Sequence, residues 1–353
     1  MTYHISHNDL DGYGCQLLVN EVMNDVEFFN VNYGKELQEI LDRVPFILNE
    51  GDMLLITDLN LSEDQCARLD LAATNTNFKI HLWDHHISGE KQADKYDWYH
   101  LDTSICATAI TYQKLQGMFI MSSEKLNKLT DLINTYDMWK EDNSQINMSK
   151  SLNQVFNENK NSFPTELKNE ERLFLFYVIK EMSDNLFKAD INEAENCIYG
   201  MIFKYFHTYC SFNFCDSNMP LHILKIQFFY EKLMEKTLQI FEFNGLRGEI
   251  YFGLSSIFQE FSSIRLNEVN ALDFVVNISN NGYISFRTKK DGINLSELSK
   301  KYFFGGGHAK ASGGSLLGAP KTFTKQEAIL QFFSQFKSTH AASKYNELNQ
   351  EEA

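Results

Sequence analysis

The chain has 353 residues, of which 43% are hydrophobic and 14% aromatic; this excludes a disordered chain, and at about 150 residues per domain it predicts two domains. With 32 Lys plus Arg against 47 Asp plus Glu the net charge is −15, and such a surface repels a long polyphosphate backbone, so any nucleic-acid ligand is expected to be short and long duplex DNA is not a partner. No apolar run reaches the roughly 18 residues of a membrane span. The opening MTYHISHNDLDG lacks the basic and apolar regions of a secretory signal, so the expected location is the cytoplasm, with no membrane association.

In chain order, Thr2–Ser6, Val26–Val31, Met53–Thr57 and Lys79–Trp83 are apolar runs of strand length. Between them Gly14–Met23, Lys35–Leu41 and Ser62–Ala73 carry apolar residues at helical spacing. This alternation predicts an α/β fold with a parallel sheet. From Ala107 to Tyr209 the pattern is mainly helical, interrupted by a polar stretch, 140–161, that reads as a surface excursion. Ser211–Pro220 is the best linker. The expected division is therefore a first domain over 1–210, a linker over 211–222, a smaller α/β domain over 223–338 and a flexible tail over 339–353. The second domain begins with a helix over Lys225–Phe243. Strands near 248–253, 272–279 and 283–288 follow, with a helix near 257–267 among them. A helix over Leu295–Tyr302 then leads into a glycine-rich loop. The six cysteines (Cys15, Cys66, Cys106, Cys197, Cys210, Cys215) are scattered with no paired zinc spacing, and read as reduced thiols.

Three of the predicted strands end alike. Tyr3–Ser6 runs into His7, Asn8, Asp9, Leu10, Asp11 and Gly12. Leu54–Thr57 runs into Asp58, and Ile80–Trp83 into Asp84, His85 and His86. In an open parallel sheet the C-terminal strand ends share one edge, outside which ligands bind. These groups are therefore expected to converge. So many carboxylates raise one another's pKa in a low-dielectric crevice, and one or two divalent cations are the simplest remedy. The spacing His7-x-Asp9-x-Asp11 directs alternate side chains to one side, and Gly12 and Gly14 allow a close backbone approach. Each piece alone has a plainer reading: Asp9 and Asp11 as helix caps, Asp58 as a loop residue, Asp84-His85-His86 as a surface turn. Their joint position after strands favours the metal site.

These segments resemble the first three motifs of the DHH phosphoesterase family. A fourth, Tyr136-Asp137-Met138-Trp139, follows in the expected order, and Phe304-Gly305-Gly306-Gly307-His308-Ala309-Lys310-Ala311-Ser312-Gly313 resembles the signature of the DHH-associated C-terminal domain. The resemblance implies two cations, one held by His7, Asp9 and Asp58 and the other by Asp11, Asp58, His85 and Asp137, with Asp58 shared. Carboxylate-rich ligation with one imidazole per ion suits Mn²⁺, with Mg²⁺ as the alternative. It also implies that His86 faces the scissile phosphate without ligating metal, with Asp84 supporting the site. Asp131, six residues before Asp137, competes with it on residue type alone, and only the family pattern selects Asp137. Asp102 is expected to cap the helix that follows it.

In the second domain, Gly305, Gly306 and Gly307 let successive N–H groups converge on a phosphate. His308 and Lys310 add donors, and Ser312 caps or contacts the same group. Arg287 is either a phosphate or base-stacking partner or an ordinary surface arginine. The expectation is a two-domain hydrolase, with its cleft between domains, that cuts very short oligonucleotides to 5′-mononucleotides, as nanoRNases and oligoribonucleases do. Some members of that group also hydrolyse 3′-phosphoadenosine 5′-phosphate. The alternatives are a cyclic- or linear-dinucleotide phosphodiesterase, a single-strand exonuclease of the RecJ type (opposed by charge and length), and a non-catalytic nucleotide-binding protein (opposed by the intact ligand set). A homodimer is compatible with the sequence.

Overall fold

The computed structural model describes residues 1–120, 123–160, 162–185, 191–209, 219–236, 239–243, 245–254 and 257–336. Most of the expected linker (211–218), the whole tail (339–353), Cys210 and Cys215 lie outside the described residues. The fold is α/β, and the chain divides into two compact units: Met1–Ser162 with Asn169–Lys204, and Phe163–Lys168 with the chain from Tyr205 onward.

In the first unit, strands and helices alternate as β1 Thr2–His7, α1 Leu10–Val22, β2 Val26–Val31, α2 Lys35–Ile47, β3 Met53–Thr57, α3 Glu63–Thr76, β4 Lys79–Asp84, α4 Glu90–Ala93 and β5 Tyr99–Leu101. The strands form a five-stranded sheet in the order β2-β1-β3-β4-β5, every neighbouring pair parallel. Such strands are buried on both faces and so read in sequence as unbroken apolar runs. Ile5, Leu54, Leu55, Ile56 and Leu82 are fully buried in the sheet. The order reverses between β1 and β3, the switch point at which open α/β sheets bind ligands.

Helices α5 Ala107–Met118, α6 Glu124–Asp137, α7 Ile146–Asn159, α8 Lys168–Asn185 and α9 Ile191–Tyr209 follow. Helix α7 corrects the expected surface excursion over 140–161. Leu152, Val155, Phe156 and Asn159 recur at helical spacing and are buried, and Phe156 packs its ring 5.4 Å from that of Tyr13 on α1. The polar residues between them hid this stripe.

The second unit contains α10 Leu221–Met234, β6 Gln239–Phe243, β7 Leu246–Phe252, α11 Phe258–Glu268, β8 Phe274–Ile278, β9 Tyr283–Arg287, α12 Leu295–Tyr302, β10 Gly306–Gly307, β11 Ala311–Ser315 and α13 Lys325–Phe336. Its sheet order is β10-β11-β9-β8-β7-β6, with β7 and β8 parallel and the other pairs antiparallel. The helix expected to run to Phe243 ends at Met234. Gln239–Phe243 is an edge strand, because Phe241 and Phe243 point inward while Ile240 and Glu242 point outward, a period of two. The core is phenylalanine-rich: Phe274, Phe286, Phe303 and Phe332 are fully buried, and the last two stack at 5.0 Å. Among the described residues no helix is long and apolar enough to cross a membrane.

Candidate active site

Strands β1, β3 and β4 are adjacent, so His7, Asp58 and the Asp84-His85-His86 run leave the sheet side by side. The turn after β1 is fixed by Asp9, which is both a cap and a member of the cluster. One carboxylate oxygen accepts the Gly12 N–H at the start of α1 (3.0 Å), and the other lies 2.7 Å from His7 Nδ1. A Cβ at Gly12 would sit 2.0 Å from the His7 carbonyl oxygen, so only glycine lets α1 start this close to β1. Asp11 caps a different helix. Its two oxygens accept the N–H groups of Ala107 (2.9 Å) and Thr108 (2.8 Å) at the start of α5, whose own N-cap residue, Cys106, makes no side-chain cap bond. Asp102 does not cap α5 as expected. It lies four residues before that N-cap position and instead accepts from the N–H and hydroxyl of Ser104 in a local turn.

His85 and Asp58 sit at the centre of the cluster. His85 Nε2 lies 3.4 Å from Asp58 Oδ1, 3.5 Å from Asp137 Oδ2 and 3.8 Å from Asp11 Oδ2, and His7 Nδ1 lies 3.7 Å from Asp58 Oδ2. Three sets each place their ligand atoms within 4.8 Å of one another: His7/Asp9/Asp58, Asp11/His85/Asp137 and Asp58/His85/His86. Asp131 is exposed on α6 and outside these sets. Six residues carry it about 240° around the helix from Asp137. Asp58 itself adopts the left-handed region (φ 57°) while buried, a strained conformation that persists only where the surroundings enforce it. Its N–H donates to the Trp83 carbonyl (3.1 Å).

The electrostatics are unbalanced without a cation. Burial, followed by the charges of Asp9 and Asp11, pushes the Asp58 carboxyl well above its ordinary range. Burial and the same two neighbours push Asp137 up to about 8. Asp137 also ends α6, where the helix dipole is negative. The Oδ2 atoms of Asp58 and Asp137 are buried with no hydrogen-bond partner. Burial lowers the pKa of His85, which favours the neutral imidazole that a metal requires. Orphaned carboxylate oxygens beside the His7 and His85 imidazoles fit a divalent cation of the Mn²⁺ or Mg²⁺ kind. His86 is different. Burial pulls its pKa down, but the bond to Asp84 and the charges of Asp84, Asp137 and Asp11 together outweigh this, and the net shift is upward. Its Nδ1 lies 2.6 Å from Asp84 Oδ1, and Tyr99 donates its hydroxyl to the other oxygen of the buried Asp84 (2.8 Å).

Several residues escaped the sequence reading. Beneath the cluster Thr57 Oγ1 lies 2.8 Å from both Ser6 Oγ and His4 Nε2, and Ser6 Oγ donates to the Gly12 carbonyl (2.9 Å). These bonds tie β1, β3 and the start of α1 together just behind the ligands. Their only sequence signal is polar residues at alternate positions of an otherwise apolar strand. Tyr33, just past β2, packs its ring 5.4 Å from His7 and 6.3 Å from His86, and no local pattern marks it.

In the second unit the glycine-rich segment is a hairpin, not an open loop. Gly305 donates its N–H to the Ser299 carbonyl (3.2 Å), and Gly306 and Gly307 pair with Gly313 and Ser312. Three N–H groups converging on one point is therefore not the arrangement observed. The glycines answer a packing demand: a Cβ at Gly305 would lie 1.8 Å from the Gly313 carbonyl oxygen, and Gly307 has φ 136°. Ser312, expected to cap or contact the bound group, is engaged within the fold. Its buried hydroxyl donates to the Leu295 carbonyl (2.9 Å) and lies 2.7 Å from Ser299 Oγ. Lys310 pairs with Asp291 at 2.7 Å. His308 is exposed, and Arg287, across from Ala311 in the sheet, has no carboxylate partner among the described residues; its guanidinium lies over the Phe258 ring at 5.6 Å.

A parallel sheet that delivers aspartates and histidines to its switch point, and a separate mixed-sheet unit carrying the Gly-Gly-Gly-His hairpin, agree with the two-part arrangement that the resemblance to the DHH phosphoesterases implies. No family model matches the chain. The chain is 26% identical over 345 residues to the 3′,5′-cyclic-nucleotide phosphodiesterase of Helicobacter pylori, covering 92% of this chain and 95% of that relative. It is 27% identical over 331 residues to oligoribonuclease NrnB of Bacillus subtilis, covering 89% and 73%. The crystal structure of an uncharacterized protein from Helicobacter pylori G27 matches with a TM-score of 0.80 at 25% identity, covering 96% of this chain and 99% of that one.

Proposed function

We propose that this protein is a metal-dependent phosphodiesterase that hydrolyses very short oligonucleotides to 5′-mononucleotides. The carrying observation is the pair of buried, unpartnered carboxylate oxygens on Asp58 and Asp137 amid His7, Asp9, Asp11 and His85. His7, Asp9 and Asp58 would hold one cation, and Asp11, Asp58, His85 and Asp137 the other, with Mn²⁺ favoured over Mg²⁺ by the imidazole on each side. When bound, such ions supply Lewis acidity, lowering the pKa of water and neutralising phosphate charge. Asp84 orients His86 through Nδ1 and favours its protonation, so its ring would stabilise the negative charge that develops on the phosphate. Arg287, unpaired with any carboxylate among the described residues, and the exposed His308 are the anion-binding groups of the second unit.

The net charge of −15 favours short substrates over long ones. Similarity to the Bacillus subtilis oligoribonuclease supports the same choice. The test is a product time course on a labelled trinucleotide with Mn²⁺. Mononucleotides should accumulate, and the protein should keep its metal but bind substrate more weakly when His308 is changed to Ala. No hydrolysis of any di- to pentanucleotide would overturn the reading. The name of the Helicobacter pylori relative favours a second reading, a cyclic-nucleotide phosphodiesterase on the same site. Cyclic mononucleotides, cyclic and linear dinucleotides and 3′-phosphoadenosine 5′-phosphate assayed in parallel rank these activities.

A further inference from the structure

We propose that Tyr33 is a nucleobase-binding residue: the base next to the scissile phosphate stacks on its ring. This rests on the phosphodiesterase reading and names a specificity element of that site. Tyr33 follows the C-terminal end of β2, on the same sheet edge as the metal-ligand candidates. Its ring is tilted 48° to His7 at 5.4 Å and stands edge-on, at 88°, to His86 at 6.3 Å. The ring therefore touches one side of the cation-binding set and the imidazole assigned to the phosphate.

Its position is held firmly. The Tyr33 hydroxyl accepts the Asn60 N–H (3.1 Å), two residues beyond Asp58, and Asn60 Nδ2 donates to Ser88 Oγ (2.8 Å), two residues beyond His86. The ring is thus pinned to the two loops that carry the central site residues. Yet it is 43% exposed, whereas Tyr13 and Tyr99, which fill space in the same unit, are 1% and 4% exposed. Exposing a large, ordered aromatic surface beside a charged cluster forgoes burial that the fold uses elsewhere. A planar ligand recovers it. Nucleobases stack on aromatic rings with little regard to sequence, which suits an enzyme that must accept any short oligonucleotide, and one such contact changes affinity by about 5- to 150-fold. The competing role is a wall that only keeps His7 and His86 in place.

The experiment compares the full-length protein with Tyr33→Ala and Tyr33→Phe in Mn²⁺ on three substrates: a dinucleotide and two abasic analogues, each lacking one of its bases. For the wild type, one abasic analogue should show a KM raised about tenfold over the dinucleotide. Tyr33→Ala should raise the dinucleotide KM by a similar factor, more than it lowers kcat, and should cost that abasic analogue less than about threefold. Tyr33→Phe should retain most of the discrimination. An equal loss on all three substrates, or loss of bound Mn²⁺ in Tyr33→Ala, assigns the ring to the wall role and overturns the proposal. If the wild type binds Mn²⁺ but cleaves none of the three, the phosphodiesterase reading falls first and this assignment with it.

Discussion

Asp58 and Glu249 are both carboxylates buried to 2% exposure or less, in different units, and the fold treats them oppositely. Glu249 on β7 receives two hydrogen bonds from Arg265 on α11, at 2.7 and 3.0 Å. Asp58, just beyond β3, has one oxygen without a partner and Asp9 and Asp11 as like-charged neighbours. Removing a carboxylate from water costs free energy in either place. In the second unit folding itself supplies the counter-charge. In the first no described Lys or Arg does so, which leaves the buried anion open to a cation from outside.

Replacing the two residues in turn tests this contrast, beginning with the largest effect. Asp58→Ala should abolish Mn²⁺ binding in a calorimetric titration and lower hydrolysis at least about a thousandfold. In chelator the same variant should melt no lower than the wild type, because it removes a repelled charge. Glu249→Ala should instead lose about 3–5 kcal/mol in urea unfolding, since the half-buried Arg265 loses its carboxylate partner. Equal destabilisation by the two substitutions would break the contrast.

Titration sharpens it further. Asp137 has a folded-state pKa of about 8 against 3.8 for an ordinary aspartate, and that of Asp58 is shifted in the same direction. Between these limits the folded chain holds more protons than the unfolded one, so stability falls as pH rises. In chelator the melting temperature should decline from about pH 4 to about pH 8, and Asp137→Asn should flatten that slope. Mn²⁺ should restore stability most at the alkaline end, because ligation needs deprotonated carboxylates. The smallest effect belongs to Ser312→Ala. Losing the hydroxyl's bonds to the Leu295 carbonyl and Ser299 Oγ should cost about 1–2 kcal/mol, with the Michaelis constant unmoved; a raised KM would place Ser312 among the substrate contacts.

Strands β1, β3 and β4 were legible because strands covered on both faces are mostly apolar, so the aspartates and histidines that follow each run stand out. That is why His7, Asp58 and His85 could be named before any coordinates. Helix α7 and strand β6 were misread because their apolar residues are diluted by polar neighbours, and only the packing of Phe156 on Tyr13 and of Phe241 in its core reveals the periodicity. The glycine run was legible in the sequence, but its hairpin pairing was not, since a run of glycines does not show which backbone it must approach.

The sequence by itself determined which chemistry is available: carboxylates and imidazoles at strand ends, a glycine run, and a charge that turns long polyanions away. These follow from residue type and short-range period, which need no partner. Tertiary structure decided which of those groups meet. Asp11 reaches across 96 positions to cap α5, Tyr33 comes to lie beside His86, and Arg265 neutralises Glu249 while among the described residues Asp58 has only the imidazoles of His7 and His85 near it. Such pairings depend on strand order and on which polar atoms are left over once the backbone is satisfied, and local sequence carries neither.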